Sequence, residues 1–477
     1  MTEPTLAAHL AAFAAATTYE RLPAEVVDSV RKRILDCLGI CIAATALDTS
    51  RAAMAWVSAQ GGTSQATAIG IDSGVPAVQA AFVNGVLAHS LDYDDTHLPS
   101  VLHPSASVIP AALAAAQASG AGGRETIAAI AVGLEVCVRI GMAGYDRPGR
   151  TSVFFEHGQH ATSICGAMGA AVAAGMLLKL DENALVDVLG VAASMASGII
   201  ESNRTGGTVK RMHCGWAAHA GVSAAQLVAL GFTGPPTVLE GRFGFFQAWL
   251  HGKYNPDEIT DGLGTVWSVP GIFFKPYPAN HFTHAAIDAA LALRAQGITP
   301  EDVESITVGV AASTVRTVGE PIEVKRAPTT GYMAQFSAPF VVAAALLGGR
   351  GLGLGLDDFT DAAATDPEHR ALMAKVSVLA DAECDAIFPH QFPAVLRLRT
   401  TDGRELVEKV LANRGGPQRP LSYDELGTKF RDNASRVLDD GSVEHIRAVV
   451  AHFEDLDELG TLLGPLAGLP LSAQSAR

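Results

Sequence analysis

Along the first half of the chain, apolar residues recur at the three-and-four spacing of a helix face and rarely at the alternation of a strand. After Leu22-Pro23-Ala24-Glu25, which reads as a helix start, Val26, Val27, Val30, Ile34, Leu38 and Cys41 fall at helical spacing. Ala-rich helical segments follow at 109–118, 125–142, 162–178, 182–197 and 216–229. Helix succeeds helix to about residue 250, which predicts an all-α domain.

The pattern changes near 266–271. Segments 304–310 (ESITVGV) and 394–400 (AVLRLRT) are strand-like, and Asp402-Gly403 is a strong hairpin signal. Helices are expected at 284–296 and 335–347, and a short strand at 375–379. From Ser422 (SYDELGTKFRDNASRVL) the chain is helical again, with Ser422 and Glu425 spaced as a capping box. The tail shares the texture of the first part and is expected to pack back on it. The predicted fold is mainly α: an all-α domain over 1–270, an inserted smaller α+β lid domain over 271–410, a helical tail over 411–465, and a disordered Pro/Ala/Ser-rich end over 466–477.

A length of 477 residues exceeds one ordinary core, in keeping with two domains. With 48% hydrophobic and 17% charged residues the chain has the composition of a folded protein. A net charge of −15 argues against nucleic acid or an anionic membrane as partner. The uncharged run 161–178 approaches membrane length, but its Ala and Gly content reads as a closely packed buried helix. With no signal-peptide pattern, a cytoplasmic location is expected. Six cysteines, at 37, 41, 137, 165, 214 and 384, lack zinc-type pairing; Cys37 and Cys41 read as core residues one turn apart. The glycine-rich 348–355 (GGRGLGLG) lacks both a preceding strand and a following Lys-Ser/Thr, so it reads as a helix exit and loop.

Against this charge-poor background, 89–110 (HSLDYDDTHLPSVLHPSASVIP) gathers His89, His97, His103, Asp92, Asp94 and Asp95. Titratable groups at that density in apolar surroundings point to chemistry. A helix over 84–96, ending before Pro99, would put His89, Asp92 and Thr96 on one face, with Asp94 and Asp95 pointing elsewhere. His103-Pro104-Ser105 opens a second helix. His160 stands before the helix at 162–178, and Lys210 and His213 (TVKRMH) before the one containing Trp216. Phe274-Lys275-Pro276-Tyr277-Pro278 forms a stiff loop followed by His281 and His284. The recurrent feature, a His or Lys just before a helix, suits a carboxylate, because helix N-termini offer free N–H groups and partial positive charge. With Lys275 these ends suit a small polyacid. Taken singly, each also reads as a cap, a packing residue or a linker; it is their joint occurrence that favours a site.

Three other classes are open on the same residues. His89, Asp92, Asp94, Asp95 and His97 could ligate the metal of a hydrolase. Asp-Tyr-Asp-Asp in an all-α chain fits a terpene-cyclase pattern, although 6% aromatic residues are few for lining a carbocation pocket. A non-catalytic carboxylate-binding protein is the third.

The ordered series LDYDDTH…HPS, GQHAT, GTVKRMHCGWAAHAG, FKPYP…H, AQFSAPF and RPLSYDELGTKFRDNAS resembles the MmgE/PrpD family over nearly the whole chain. The resemblance implies a lyase acting on a small di- or tricarboxylate by proton transfer beside a carboxylate, either dehydration of the 2-methylcitrate type or decarboxylation of the cis-aconitate type, with dicarboxylate epimerisation as the alternative. It implies a homodimer with no metal or organic cofactor. Carried over position by position, it implies a site at Asp92, Thr96, His103, His160, Lys210 and Lys275, with catalytic roles for Asp92, His103, His160 and Lys210 and substrate contacts from Thr96 and Lys275; His213, Tyr277 and Phe340 are expected as further substrate contacts. Phe340 stands where the decarboxylase pattern has a tyrosine, which removes a hydroxyl.

Overall fold

The computed structural model describes residues 3–469. Its contacts divide the chain into two units, Met1–Ile272 with Asn433–Ala476, and Phe273–Asp432. The division falls after residue 432, later than the change of texture at 410 suggests, because most of the helix Tyr423–Ala434 counts with the second unit. That helix opens on a reciprocal cap: the Ser422 N–H donates to Glu425 at 2.8 Å and the Glu425 N–H to Ser422 Oγ at 3.1 Å.

The first unit is built from α1 (Leu6–Ala16), α2 (Ala24–Ala44), α3 (Asp48–Gln60), α4 (Ala77–His89), α5 (Ser105–Ser119) and α6 (Gly123–Ala143). It continues with the short α7 (Val153–Glu156), then α8 (Ala161–Leu177), α9 (Glu182–Met195), the short α10 (Ser202–Thr205) and α11 (His213–Ala229). A short antiparallel ladder joins β1 (Tyr145–Asp146) to β2 (Thr151–Ser152). Helix α8 is apolar on every face, so it is buried on every face, packed by α5, α6, α9 and α11. By length and composition α6 could cross a membrane, yet it lies almost wholly within the core.

Two glycine crossings set the spacing of these helices. A Cβ on Gly85 of α4 would lie 2.7 Å from the Gly215 Cα of α11, and one on Gly133 of α6 would lie 2.7 Å from the Gly169 carbonyl of α8. Only glycine admits such backbone approach. The first crossing brings the C-terminal end of α4, with His89, beside the N-terminal end of α11, with His213 and Cys214.

Two sequence expectations fail in this unit. The helix expected over 84–96 ends at His89, and Asp92 takes a left-handed φ of 52°. The end expected to be disordered from 466 is ordered as far as the description reaches: Leu466 is fully buried and its carbonyl accepts the Gly70 N–H at 3.0 Å. Residues 470–477 lie outside the described residues.

In the second unit, β3 (Val303–Val310), β4 (Val376–Ala380), β5 (Ala394–Thr400) and β6 (Glu405–Val410) form a sheet of order β4-β3-β5-β6. Strands β3 and β4 are parallel, and the other pairs are antiparallel. The β5–β6 hairpin turns at Asp402-Gly403, with Gly403 at a φ of 90°. The helices His284–Ala295 and Ala338–Leu347 pack together, and their apolar residues share one core with the buried face of the sheet.

Candidate active site

Residues 90–104 leave α4 and reach α5 as an irregular loop that turns its carboxylates inward, each toward a different element. Asp92 meets Lys210, whose Nζ lies 3.3 Å from Oδ1. Asp94 Oδ2 lies 2.7 Å from His89 Nδ1. Asp95 receives the Arg33 guanidinium of α2 at 2.6 Å, the Ser105 N–H at 3.3 Å and the Ser105 hydroxyl. Arg33 is completed by the Ile272 and Val269 carbonyls at 2.6 and 3.2 Å. Burial raises the Asp95 carboxyl and lowers Arg33. Each supplies the other's countercharge, and that is what makes a buried pair tenable.

His103 sits between this loop and α8. Its Nδ1 lies 2.6 Å from the Asp95 carbonyl oxygen, which can only accept, so Nδ1 carries the hydrogen and the neutral ring keeps its lone pair on Nε2. Thr96 Oγ1 lies 3.4 Å from the same nitrogen. The first turn of α8 fixes the neighbours: Thr162 Oγ1 accepts the His103 N–H at 3.3 Å, and the Ser163 hydroxyl donates to the His213 carbonyl at 3.1 Å.

His160 is the residue before α8 and His213 the first of α11; their Nδ1 atoms are 2.8 Å apart. Two ring nitrogens bond only when one bears hydrogen and the other does not, so the neutral pair holds opposite tautomers. Burial keeps both uncharged. It pushes His160 well below the ordinary imidazole range and His213 down to about 4, and the positive charges of His89 and Lys210 add to the effect. His89 goes the other way. Burial opposes its charge, but Cys214 and Asp94 outweigh that and hold it up to about 10. Its ring centroid is 5.5 Å from that of His103 and 5.8 Å from that of His160.

Asp92, Thr96, His103, His160, Lys210 and His213 therefore meet in one region of the first unit. The reason is not the shared helix face expected for Asp92 and Thr96, but a loop in which consecutive residues serve different partners. The metal-ligand set His89, Asp92, Asp94, Asp95 and His97 does not assemble. Asp92, Asp94 and Asp95 turn to Lys210, His89 and Arg33, and His97 Nδ1 bonds Ser100 Oγ at 2.6 Å. His89, Asp94 and Cys214 do bring one ligand-type atom each within 4.8 Å. His89 Nδ1 and Asp94 Oδ2 are, however, already partnered with each other at hydrogen-bond distance.

Lys275, Tyr277 and Phe340 belong to the second unit. Lys275 is buried. Tyr277, expected to contact substrate, is a core residue whose hydroxyl donates to Asp288 at 2.6 Å; burial and that carboxylate raise its pKa. Phe340, also expected at the substrate, is fully buried in Ala338–Leu347, its ring 5.6 Å from those of Phe359 and His369. That helix is apolar all round, so Phe340 is held by packing.

Sequence reasoning passed over Arg33, Ser105 and Cys214. Arg33 had a readable signal: it lies three after Val30 and four before Cys37, so a cation stands on the stripe that α2 buries.

In this arrangement an ammonium paired with a carboxylate, a histidine with a defined basic nitrogen, and two neutral histidines sharing one hydrogen can hold a carboxylate and move protons beside it. Residues 8–257 match the family model described as MmgE/PrpD N-terminal domain, and residues 277–455 match the MmgE/PrpD C-terminal domain. The chain is 28% identical over 472 residues to a cis-aconitate decarboxylase of Mus musculus, covering 95% of this chain and 91% of the relative. It is 29% identical over 467 residues to a cis-aconitate decarboxylase of Homo sapiens, covering 93% and 90%. A mitochondrial 2-methylcitrate dehydratase of Yarrowia lipolytica is 28% identical over 178 residues, covering 36% and 32%.

Proposed function

Because the chain belongs to the MmgE/PrpD family, we propose that it is a lyase that removes CO2 from a small unsaturated tricarboxylate of the cis-aconitate class. The observation that carries this reading is the meeting of Lys210 and Asp92 with His103 and the His160–His213 pair. The extent of the likeness supports decarboxylation over dehydration: it spans nearly the whole chain for the decarboxylases and about a third for the dehydratase.

In the proposed reaction Lys210, oriented by Asp92, holds a substrate carboxylate, and Thr96 offers its hydroxyl. As CO2 departs, the electron pair of the broken C–C bond stays on carbon and spreads toward the remaining unsaturated acid. A proton taken up on Nε2 of His103, beyond the hydrogen that Nδ1 holds, or the N–H of His160 then passes to carbon. Loss of water is the second reading, favoured by the dehydratase match. It uses the same groups in the opposite order: a base first removes the proton, and an acid then assists departure of hydroxide.

Incubation with cis-aconitate, 2-methylcitrate and related acids in deuterated water, followed by proton NMR, distinguishes the outcomes. Decarboxylation gives CO2 and one solvent deuteron fixed on the product, dehydration gives a new alkene without CO2, and epimerisation gives exchange without loss of mass. If no acid in the panel is altered, the proposal fails.

The proposal includes a cytoplasmic homodimer needing no cofactor. Six free, buried cysteines fit a reducing compartment, and the exposed Leu230, Phe232 and Phe243 fit a surface covered by a second copy. Light scattering on the eluting protein reads the second point.

A further inference from the structure

His89 is a buried histidine beside the site for which the proposed reaction has no use. It ends α4, pinned by the Gly85–Gly215 crossing against the start of α11. One ring nitrogen faces Asp94 Oδ2 at 2.7 Å; the other, Nε2, is buried, and the Cys214 thiol is the ring's second side-chain neighbour. His89 and Asp94 are each 3% exposed and Cys214 is fully buried, so all three lie in poorly solvated surroundings. In front of the ring stand the two imidazoles nearest the proposed chemistry, at 5.5 and 5.8 Å between centroids.

Resting on the lyase reading, we propose that His89 and Asp94 form a positioning pair: a fixed imidazolium, backed by its carboxylate, that reinforces burial in holding the His160–His213 couple uncharged and so able to pass a proton. A buried carboxylate hydrogen-bonded to Nδ1 favours the charged ring. A positive ring about 6 Å away in poorly solvated surroundings then disfavours a second charge on His160. The groups facing His89 are Asp94 and His103 from the loop, His160 from α8 and Cys214 from α11; those facing His160 are His89, His103, Lys210 and His213. Among these, His89 lowers the pKa of His160 most, after burial itself. Without it, the couple would take up a proton at a higher pH and lose its free lone pair. His89 itself need not touch substrate.

Two measurements test this. In wild-type protein labelled with 15N at histidine, one imidazole should remain doubly protonated from about pH 6 to pH 8, and its signals should vanish in His89→Gln. This reading needs no turnover, so it stands apart from the fate of the lyase proposal. Absence of a doubly protonated ring in the wild type would overturn the inference. In His89→Gln, the acidic limb of the kcat/KM profile should move upward by about one pH unit, the size expected for removal of one nearby charge. A variant that loses activity equally at every pH, with the limb unmoved, would mean that His89 only fills space, and the inference would be wrong.

Discussion

Lys210 Nζ stands 3.3 Å from Asp92 Oδ1, joining residues 118 positions apart across a loop and a 3-10 turn. The carboxylate reaches that place through the left-handed backbone of Asp92, a conformation that asparagine also tolerates. Asp92→Asn should therefore keep its shape while losing the charge that orients Lys210. We expect kcat/KM to fall about 100-fold with little change in melting temperature. Steady-state kinetics beside a thermal melt would check it, and an unaltered kcat/KM would remove Asp92 from the site.

Alanine at His103 or at His160 should lower turnover by about two to four powers of ten, the range for loss of a positioned acid or base. His213→Ala should cost less, since His213 meets the site through His160 Nδ1. Single-turnover measurements on the three variants order them, and near-normal rates for both His103→Ala and His160→Ala would end the acid–base assignment.

Arg33→Met strands the Asp95 carboxylate in the interior. Breaking a buried pair from one side costs about 3–5 kcal/mol, and the Asp95 carbonyl that fixes His103 moves with it. The double variant Arg33→Met/Asp95→Asn should recover much of that loss. Urea denaturation of the two singles and the double forms the cycle; simple additivity of the singles would show that the pair is not coupled.

Stability should peak near neutral pH and fall on both sides. His97, His160 and His213 have folded pKa values below the ordinary 6.5, two of them at about 4; their contribution is present above 6.5 and lost as pH drops toward 4. His89 is raised to about 10, so its contribution is complete below 6.5 and lost as pH climbs through 10. Melting temperatures recorded from about pH 4 to 10 test both limbs, and a flat acid side would contradict the neutral burial of these rings.

Much of this was legible in the sequence alone. The uniformly apolar helix at α8, the strands β3 and β5 and the turn at Asp402-Gly403 follow from local pattern, because each element's burial is written in its own period. The loop at 90–104 was not. Nothing in its residues forbids a helix, and it unwinds because Asp92, Asp94 and Asp95 find partners in three different elements, a demand no single helix face can meet. The family pattern points to Tyr277 and Phe340 as substrate contacts, but not to the packed surroundings in which both side chains are buried. Asp288, which takes the Tyr277 hydroxyl, stands 11 residues later in a helix whose sequence reads as ordinary.

The missing side chains at Gly85 and Gly215 carry a consequence for how this enzyme tolerates change. Since the distance between α4 and α11 is set by bare backbone, His89, His213 and Cys214 inherit their separation from two positions that bear no chemistry at all. A single methyl group inserted there would act as a wedge, prising the imidazoles apart while leaving every one of them present.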